Sequence, residues 1–146
     1  MIHIGEGYFA GFHALFATTP ADVTRAVSAH YVVYRNGRIE QWVREEDAAY
    51  HAGVVNNPTW PLLEPWTPNR QLIGIEHEGF TGEPWTEAMY QADAWLCARA
   101  CKRWGIVPGL NTIIGHWEID SVNRLRCPGN GVDLHRIIAM TKELLL

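Results

Sequence analysis

The stretch Leu72-Ile73-Gly74-Ile75-Glu76-His77-Glu78-Gly79 constrains the fold most. Strand alternation puts Ile73, Ile75 and His77 on one face and Gly74, Glu76 and Glu78 on the other. An acidic pair facing one side of an otherwise buried apolar strand is costly unless that side opens on a cation or on water. The chain must therefore bury one face of this strand and give the other a polar cleft. The plainer alternative is an exposed edge carrying two solvated glutamates.

A source of cation lies further on, in Gly115-His116-Trp117-Glu118-Ile119-Asp120-Ser121-Val122-Asn123-Arg124-Leu125-Arg126-Cys127-Pro128-Gly129. His116 and Cys127 stand at the two ends of one loop, and imidazole nitrogen and thiolate sulfur are both favoured by zinc. Asn111-Thr112-Ile113-Ile114 reads as the end of a short buried strand, so His116 sits at its exit. Pro128 and Gly129 turn the chain after Cys127. A third protein ligand is needed. The residues alone also allow a buried histidine and an inert thiol.

Residues 5–11 are glycine-rich and aromatic and lead into Phe12-His13-Ala14-Leu15-Phe16, an apolar run suited to a buried strand with His13 as its polar interruption. A lone histidine there is more often a satisfied core residue than a ligand. Thr19-Pro20-Ala21-Asp22 has the cap, proline and acidic residue of a helix start. Ser28 to Tyr34 and Ile39 to Val43 flank Asn36-Gly37, which predicts a hairpin with a type I′ turn. The loop from Asn56 to Asn69 holds four prolines with Trp60 and Trp66, either a packed loop or a sugar-stacking surface. Thr86 opens a helix that runs to about Trp104, stopped by Gly105, with Tyr90, Ala94, Cys97, Cys101 and Trp104 on one apolar face. Asp133 caps a last helix whose buried face is Leu134, Ile137, Ile138 and Leu145.

At 146 residues the chain makes about one domain, and 47% hydrophobic with 19% charged residues describes a folded globular protein. A net charge of −4 gives no basic footprint for nucleic acid. No apolar run is long enough to span a bilayer, and the start at Met1-Ile2-His3-Ile4-Gly5 lacks the features of a signal peptide. Synthesis in a cytoplasm is the expectation. Three cysteines without an export signal disfavour a disulfide framework, and with Cys97 and Cys101 in a helical stripe Cys127 is the thiol free for metal.

The words GHWEID and RCPG, the hairpin SAHYVVYRNG with IEQWV, the sequence Tyr50-His51-Ala52-Gly53 and the pattern IGIE together resemble the type 2 N-acetylmuramoyl-L-alanine amidases, the family of phage lysozyme-amidases and peptidoglycan recognition proteins. The resemblance spans about residues 12–131 and implies an α/β single domain over residues 1–146, with a central mixed β-sheet flanked by helices and a zinc site in a cleft at the sheet edge. It implies His13, His116 and Cys127 as zinc ligands, with His3 as the fallback. The family's segment before SAHY is usually longer than His13 allows. One branch of the family has a catalytic tyrosine where this chain has Ala29, so the resemblance passes proton transfer to Glu76, with Glu78 in reserve. His51 is implied either to contact the glycopeptide or to shape the zinc pocket. A lysine common two positions before the last ligand is Leu125 here, and Arg124 is favoured over Arg126 to support the oxyanion.

The implied reaction is zinc-dependent hydrolysis of the amide between N-acetylmuramic acid and L-alanine in peptidoglycan, in a monomer that neither binds nucleic acid nor inserts into a membrane. A phage-type endolysin is expected in preference to an intracellular wall-recycling enzyme. The alternative is a peptidoglycan-binding module of the same fold that does not cut.

Overall fold

Four short strands form one mixed sheet: β1 (Ile2–Ile4), β2 (Tyr31–Val33), β3 (Ile39–Gln41) and β4 (Ile75–His77), in the order β1-β4-β2-β3. β4 is parallel to both β1 and β2, and β3 is antiparallel to β2. This computed structural model describes residues 1–8, 10, 11, 14, 16, 27–64 and 67–146. The expected α/β architecture is present, and the helices α1 (Glu87–Trp104) and α2 (Leu134–Glu143) complete it.

The alternation in β4 decides what each face of the sheet does. Ile75, together with Ile2 of β1 and Val33 of β2, packs into a core with Trp85, Met89, Leu96 and Cys97 on the α1 side and Ile137 and Ile138 of α2. His77 shares that face, fully buried and stacked on Trp85 with ring centroids 3.9 Å apart. Its Nδ1 lies 3.0 Å from the backbone oxygen of His3, and its Nε2 lies 3.3 Å from Asp93 Oδ1 of α1. One imidazole thus joins the parallel pair β1 and β4 to the helix behind them. Glu76 projects to the other face, beside its register partners His3 and Val32.

Local chemistry sets the helix ends. The Thr86 hydroxyl accepts from Met89 N at 3.2 Å, Gly105 stops α1 in the left-handed region at φ 66°, and Asp133 caps α2 by accepting from Arg136 N at 3.1 Å. Cys97 and Cys101 are buried free thiols, as their helical spacing predicts. Trp104 departs from that stripe: it is 46% exposed, and its indole N–H donates to Glu45. Leu145 is also exposed, because α2 ends before it and the chain has left the core.

Two further expectations are corrected. The hairpin turn is a three-residue loop, not type I′. Gly37 N donates to Tyr34 O, Tyr34 N donates to Arg38 O, and Gly37 alone of the central pair has positive φ, at 84°. Of the predicted strand at 12–16, Ala14 and Phe16 have helical backbone and the other three positions lie outside the described residues; the strand described at this end of the chain is β1. The helix predicted from Thr19 and the tryptophan Trp66 lie outside the described residues.

Met89 has no exposed surface at the centre of the core. Met89→Ala is expected to lower unfolding free energy by about 2–5 kcal/mol in urea titration. Leu145→Ala is expected to stay within about 0.5 kcal/mol of the parent.

Candidate metal centre

β1 is an outer strand of the sheet, and its free edge takes one more segment. Ile2 forms a parallel bridge with Gly115, and Ile2 N donates to Ile114 O at 2.8 Å. The strand expected at 111–114 is reduced to this bridge. Gly115 is tightly packed, since a Cβ there would lie 2.4 Å from the Trp117 indole nitrogen. The chain then enters a 3-10 turn, His116–Glu118, closed by Gly115 N donating to Glu118 Oε1. His116 therefore emerges beside β1.

Asp120 shapes the loop that returns. Its Oδ1 accepts from Val122 N and Asn123 N, a short acidic side chain holding a turn. Arg124 N and Cys127 N continue the turns, bonding to Asp120 O and Arg124 O. Trp117 N donates to Cys127 O at 3.1 Å, and Ile4 N donates to Cys127 Sγ at 3.4 Å. The loop thus delivers the sulfur to the strand that carries His3.

His3 Nδ1 lies 3.0 Å from His116 Nδ1 and 3.8 Å from Cys127 Sγ, and all three ligand atoms fall within 4.8 Å of one another. This group could hold a metal ion. Tetrahedral zinc with bonds of about 2.0–2.3 Å sets its ligand atoms about 3.3–3.7 Å apart, and the observed separations bracket that range. The donor set fits too. His116 Nε2 lies 2.9 Å from Ala52 O, which can only accept, so His116 Nδ1 turns a lone pair toward His3. Burial pushes the pKa of both imidazoles down and raises that of the Cys127 thiol to about 12. Neutral rings facing each other in this way, with a thiolate that burial disfavours, are stabilised together by a cation.

Glu76 stands beside the group, with Oε1 3.9 Å from His3 Nδ1. Its side chain is 14% exposed, and Oε2 has no hydrogen-bond partner among the described residues. Burial raises its pKa to about 7, with the positive charge of Arg124 opposing the rise. The same guanidinium bears on His116 and Cys127. Arg126 instead lines a cavity of about 660 Å³ beside the loop, with Thr81, Gly82, Trp117, Leu125 and Asn130.

The predicted site residues separate as follows. His116, Cys127 and Glu76 come together. His13 lies outside the described residues, and among those described the histidine that joins His116 and Cys127 is His3, the fallback. Its place ten positions earlier also restores the longer segment before SAHY that His13 would have shortened. Glu78 is engaged elsewhere, its Oε2 accepting from Arg35 N at 2.8 Å. His51 does not offer a ring nitrogen to a glycopeptide: Nδ1 lies 3.1 Å from His3 Nε2 and Nε2 lies 3.0 Å from Leu72 O. The His51 ring lies edge-on against His3, with centroids 5.2 Å apart. Trp60 is a core residue whose indole donates to Asn111 O. Sequence reasoning missed Trp117 as the aromatic wall of the cavity, although its place directly after His116 was a visible cue.

Known proteins resemble most of the chain. The model of the family described as N-acetylmuramoyl-L-alanine amidase matches residues 1–130. A 1,6-anhydro-N-acetylmuramyl-L-alanine amidase AmpD of Haemophilus influenzae is 34% identical over 116 residues, covering 80% of this chain and 59% of the relative. The AmpD of Citrobacter freundii is 31% identical over 91% of this chain and 62% of its own length. The chain thus spans about six-tenths of the curated relatives it matches. A crystal structure of an AmpD derivative superposes with a TM-score of 0.77 at 30% identity, over 96% of this chain and 82% of that one. The Escherichia coli amidase AmiD, solved in complex with the substrate anhydro-N-acetylmuramic acid-L-Ala-D-γ-Glu-L-Lys, gives a TM-score of 0.74 at 26% identity, over 95% of this chain and 55% of that one.

Removing the sulfur isolates its part in the centre. Cys127→Ala is expected to weaken zinc binding by at least about 100-fold in competition with a chromogenic chelator, more than the loss typical of an outer-shell contact. An unchanged zinc affinity would exclude Cys127 as a ligand.

Proposed function

Since the chain belongs to the N-acetylmuramoyl-L-alanine amidase family, we propose that it hydrolyses the amide between the lactyl group of N-acetylmuramic acid and L-alanine, with zinc held by His3, His116 and Cys127. The observation that carries this reading is the convergence of two imidazole nitrogens and one sulfur next to a carboxylate whose buried Oε2 has no hydrogen-bond partner among the described residues. His3, His116 and Cys127 would hold zinc with three protein ligands, the number found at catalytic rather than structural zinc sites. When bound, zinc supplies Lewis-acid polarisation of the scissile carbonyl and activation of a water molecule.

The remaining work falls to this chain's own side chains. Glu76 accepts the proton of the attacking water and passes it to the nitrogen of the departing L-alanine. Its position suits it to the task, because burial holds it near the pKa at which a carboxyl both accepts and releases a proton at neutral pH. Arg124 adds positive charge where the oxyanion develops, a role left open by Leu125. The cavity walled by Trp117 and Arg126 gives the muropeptide a place against the loop. No helix among the described residues is long and apolar enough to cross a membrane.

Within this reading, a small anhydro-muropeptide has more support as substrate than the intact wall expected of a phage-type endolysin. The relatives at 31–34% identity are named 1,6-anhydro-N-acetylmuramyl-L-alanine amidases. An endolysin amidase from Clostridium intestinale shares the fold at 17% identity, and that likeness extends to the fold alone.

Digestion with mass analysis tests the proposal. Zinc-loaded protein given a soluble anhydro-muropeptide is expected to release a free peptide beginning at L-alanine, and faster than it releases peptide from insoluble murein. Equal or faster release from murein would favour the endolysin. Glu76→Gln is expected to keep zinc and lose at least about 100-fold in kcat, within the range of a general acid–base. Parental rates in Glu76→Gln would remove Glu76 from the mechanism, and binding without cleavage by the zinc-loaded parent would leave the non-cutting module.

A further inference from the structure

We propose that His51 is a positioning residue that fixes His3 in the tautomer protonated at Nε2, so that the bare Nδ1 of His3 faces His116 and Cys127. The proposal rests on the reading that those three residues hold zinc. It goes beyond that reading because it assigns the preparation of the site to residues that do not touch the ion.

The argument starts from a group with only one possible role. The backbone oxygen of Leu72 can only accept, and it lies 3.0 Å from His51 Nε2, so that nitrogen carries the proton. In a neutral imidazole the other nitrogen is then an acceptor. His51 Nδ1 lies 3.1 Å from His3 Nε2, which must therefore be the donor. The lone pair of His3 is left on Nδ1, 3.0 Å from His116 Nδ1 and 3.8 Å from Cys127 Sγ. One carbonyl thus sets the protonation pattern of two rings in series. The opposite pattern would put an N–H where a ligand lone pair is required.

The support is built to hold still. Asn69 Oδ1 accepts from both His51 N and Ala52 N, at 3.0 and 2.8 Å, and clamps the two residues as a unit. That unit serves both imidazole ligands, because the Ala52 carbonyl accepts from His116 Nε2. Gly74 leaves the space for the His51 ring, since a Cβ at Gly74 would lie 2.4 Å from His51 Cγ. Gly74 is itself held in place, its N–H donating to His30 Nδ1 at 3.0 Å. His30, His51, His3 and His116 are all buried, so bulk water does not compete for these bonds.

Long-range proton–nitrogen NMR of the zinc-loaded, histidine-labelled protein reads the tautomers directly. The proposal expects His3 and His51 both protonated at Nε2, and a His3 ring protonated at Nδ1 would overturn it. Variants give a second reading. His51→Phe keeps a flat ring without an acceptor and is expected to bind zinc about 10–100-fold more weakly. His51→Asn, which sets a carbonyl oxygen close to the Nδ1 position, is expected to recover most of that loss. A folded His51→Phe protein with parental zinc affinity would overturn the proposal; if that variant does not fold, the tautomer spectrum of the parent decides. His3→Ala separates the two levels. Parental zinc affinity in His3→Ala would remove the metal assignment and this proposal with it, whereas loss of zinc in His3→Ala but not in His51→Phe would overturn the positioning role alone.

Discussion

Two bare imidazole nitrogens 3.0 Å apart, His3 Nδ1 and His116 Nδ1, are the contact on which the rest of this structure depends. Lone pairs at that distance repel unless a positive charge lies between or beside them, and their burial removes the water that would otherwise screen them. The surrounding bonds hold them there. The carbonyl of Ala52 orients one ring, and the thiol of Cys127 is drawn in by the N–H of Ile4. Such a cluster is costly on its own and becomes favourable with a cation, which is how metal affinity is coupled to folding.

The fold supplies that arrangement by using the two faces of one small sheet differently. The face with Ile2, Ile75 and Val33 is sealed by α1 and α2, so β1 and β4 are fixed in position. The other face carries His3 and Glu76 as cross-strand neighbours, which fixes the ligand and the carboxylate relative to each other. Because β1 has a free edge, Gly115 can add to it and bring His116 alongside. His77 ties the two faces together, linking the backbone of His3 to Asp93 on the helix side. A site built on strands in this way is held more tightly than one built on loops alone. The loop from Asp120 to Cys127 has to place only the last ligand.

Much of this was legible in the sequence, and the omissions have physical causes. The alternation around Glu76 was readable because a carboxylate on a buried strand admits few explanations. His116 and Cys127 were readable because their residue types are those zinc prefers. For the third ligand, the family resemblance asks for a histidine on the first core strand, and the apolar run 12–16 around His13 reads as that strand. Ile2–Ile4 is only three residues long and gave a much weaker signal, although its bracketing of one histidine by two isoleucines carries the same alternation. Alternation puts Glu76 and Glu78 on one face and the IGIE resemblance chooses between them, whereas the tautomers of His51 and His3 depend on where Leu72 O and Asn69 Oδ1 lie in space. No local pattern encodes that. Trp104 and Leu145 show the same limit from the packing side: each continues an apolar helical stripe past the point where there is a core to meet it.

X-ray absorption at the zinc edge of the purified protein tests the central claim most directly. The account predicts one sulfur at about 2.3 Å and nitrogen or oxygen scatterers at about 2.0–2.1 Å, with the outer-shell signature of two imidazoles. A zinc shell without sulfur, or one without imidazole scattering, would contradict it.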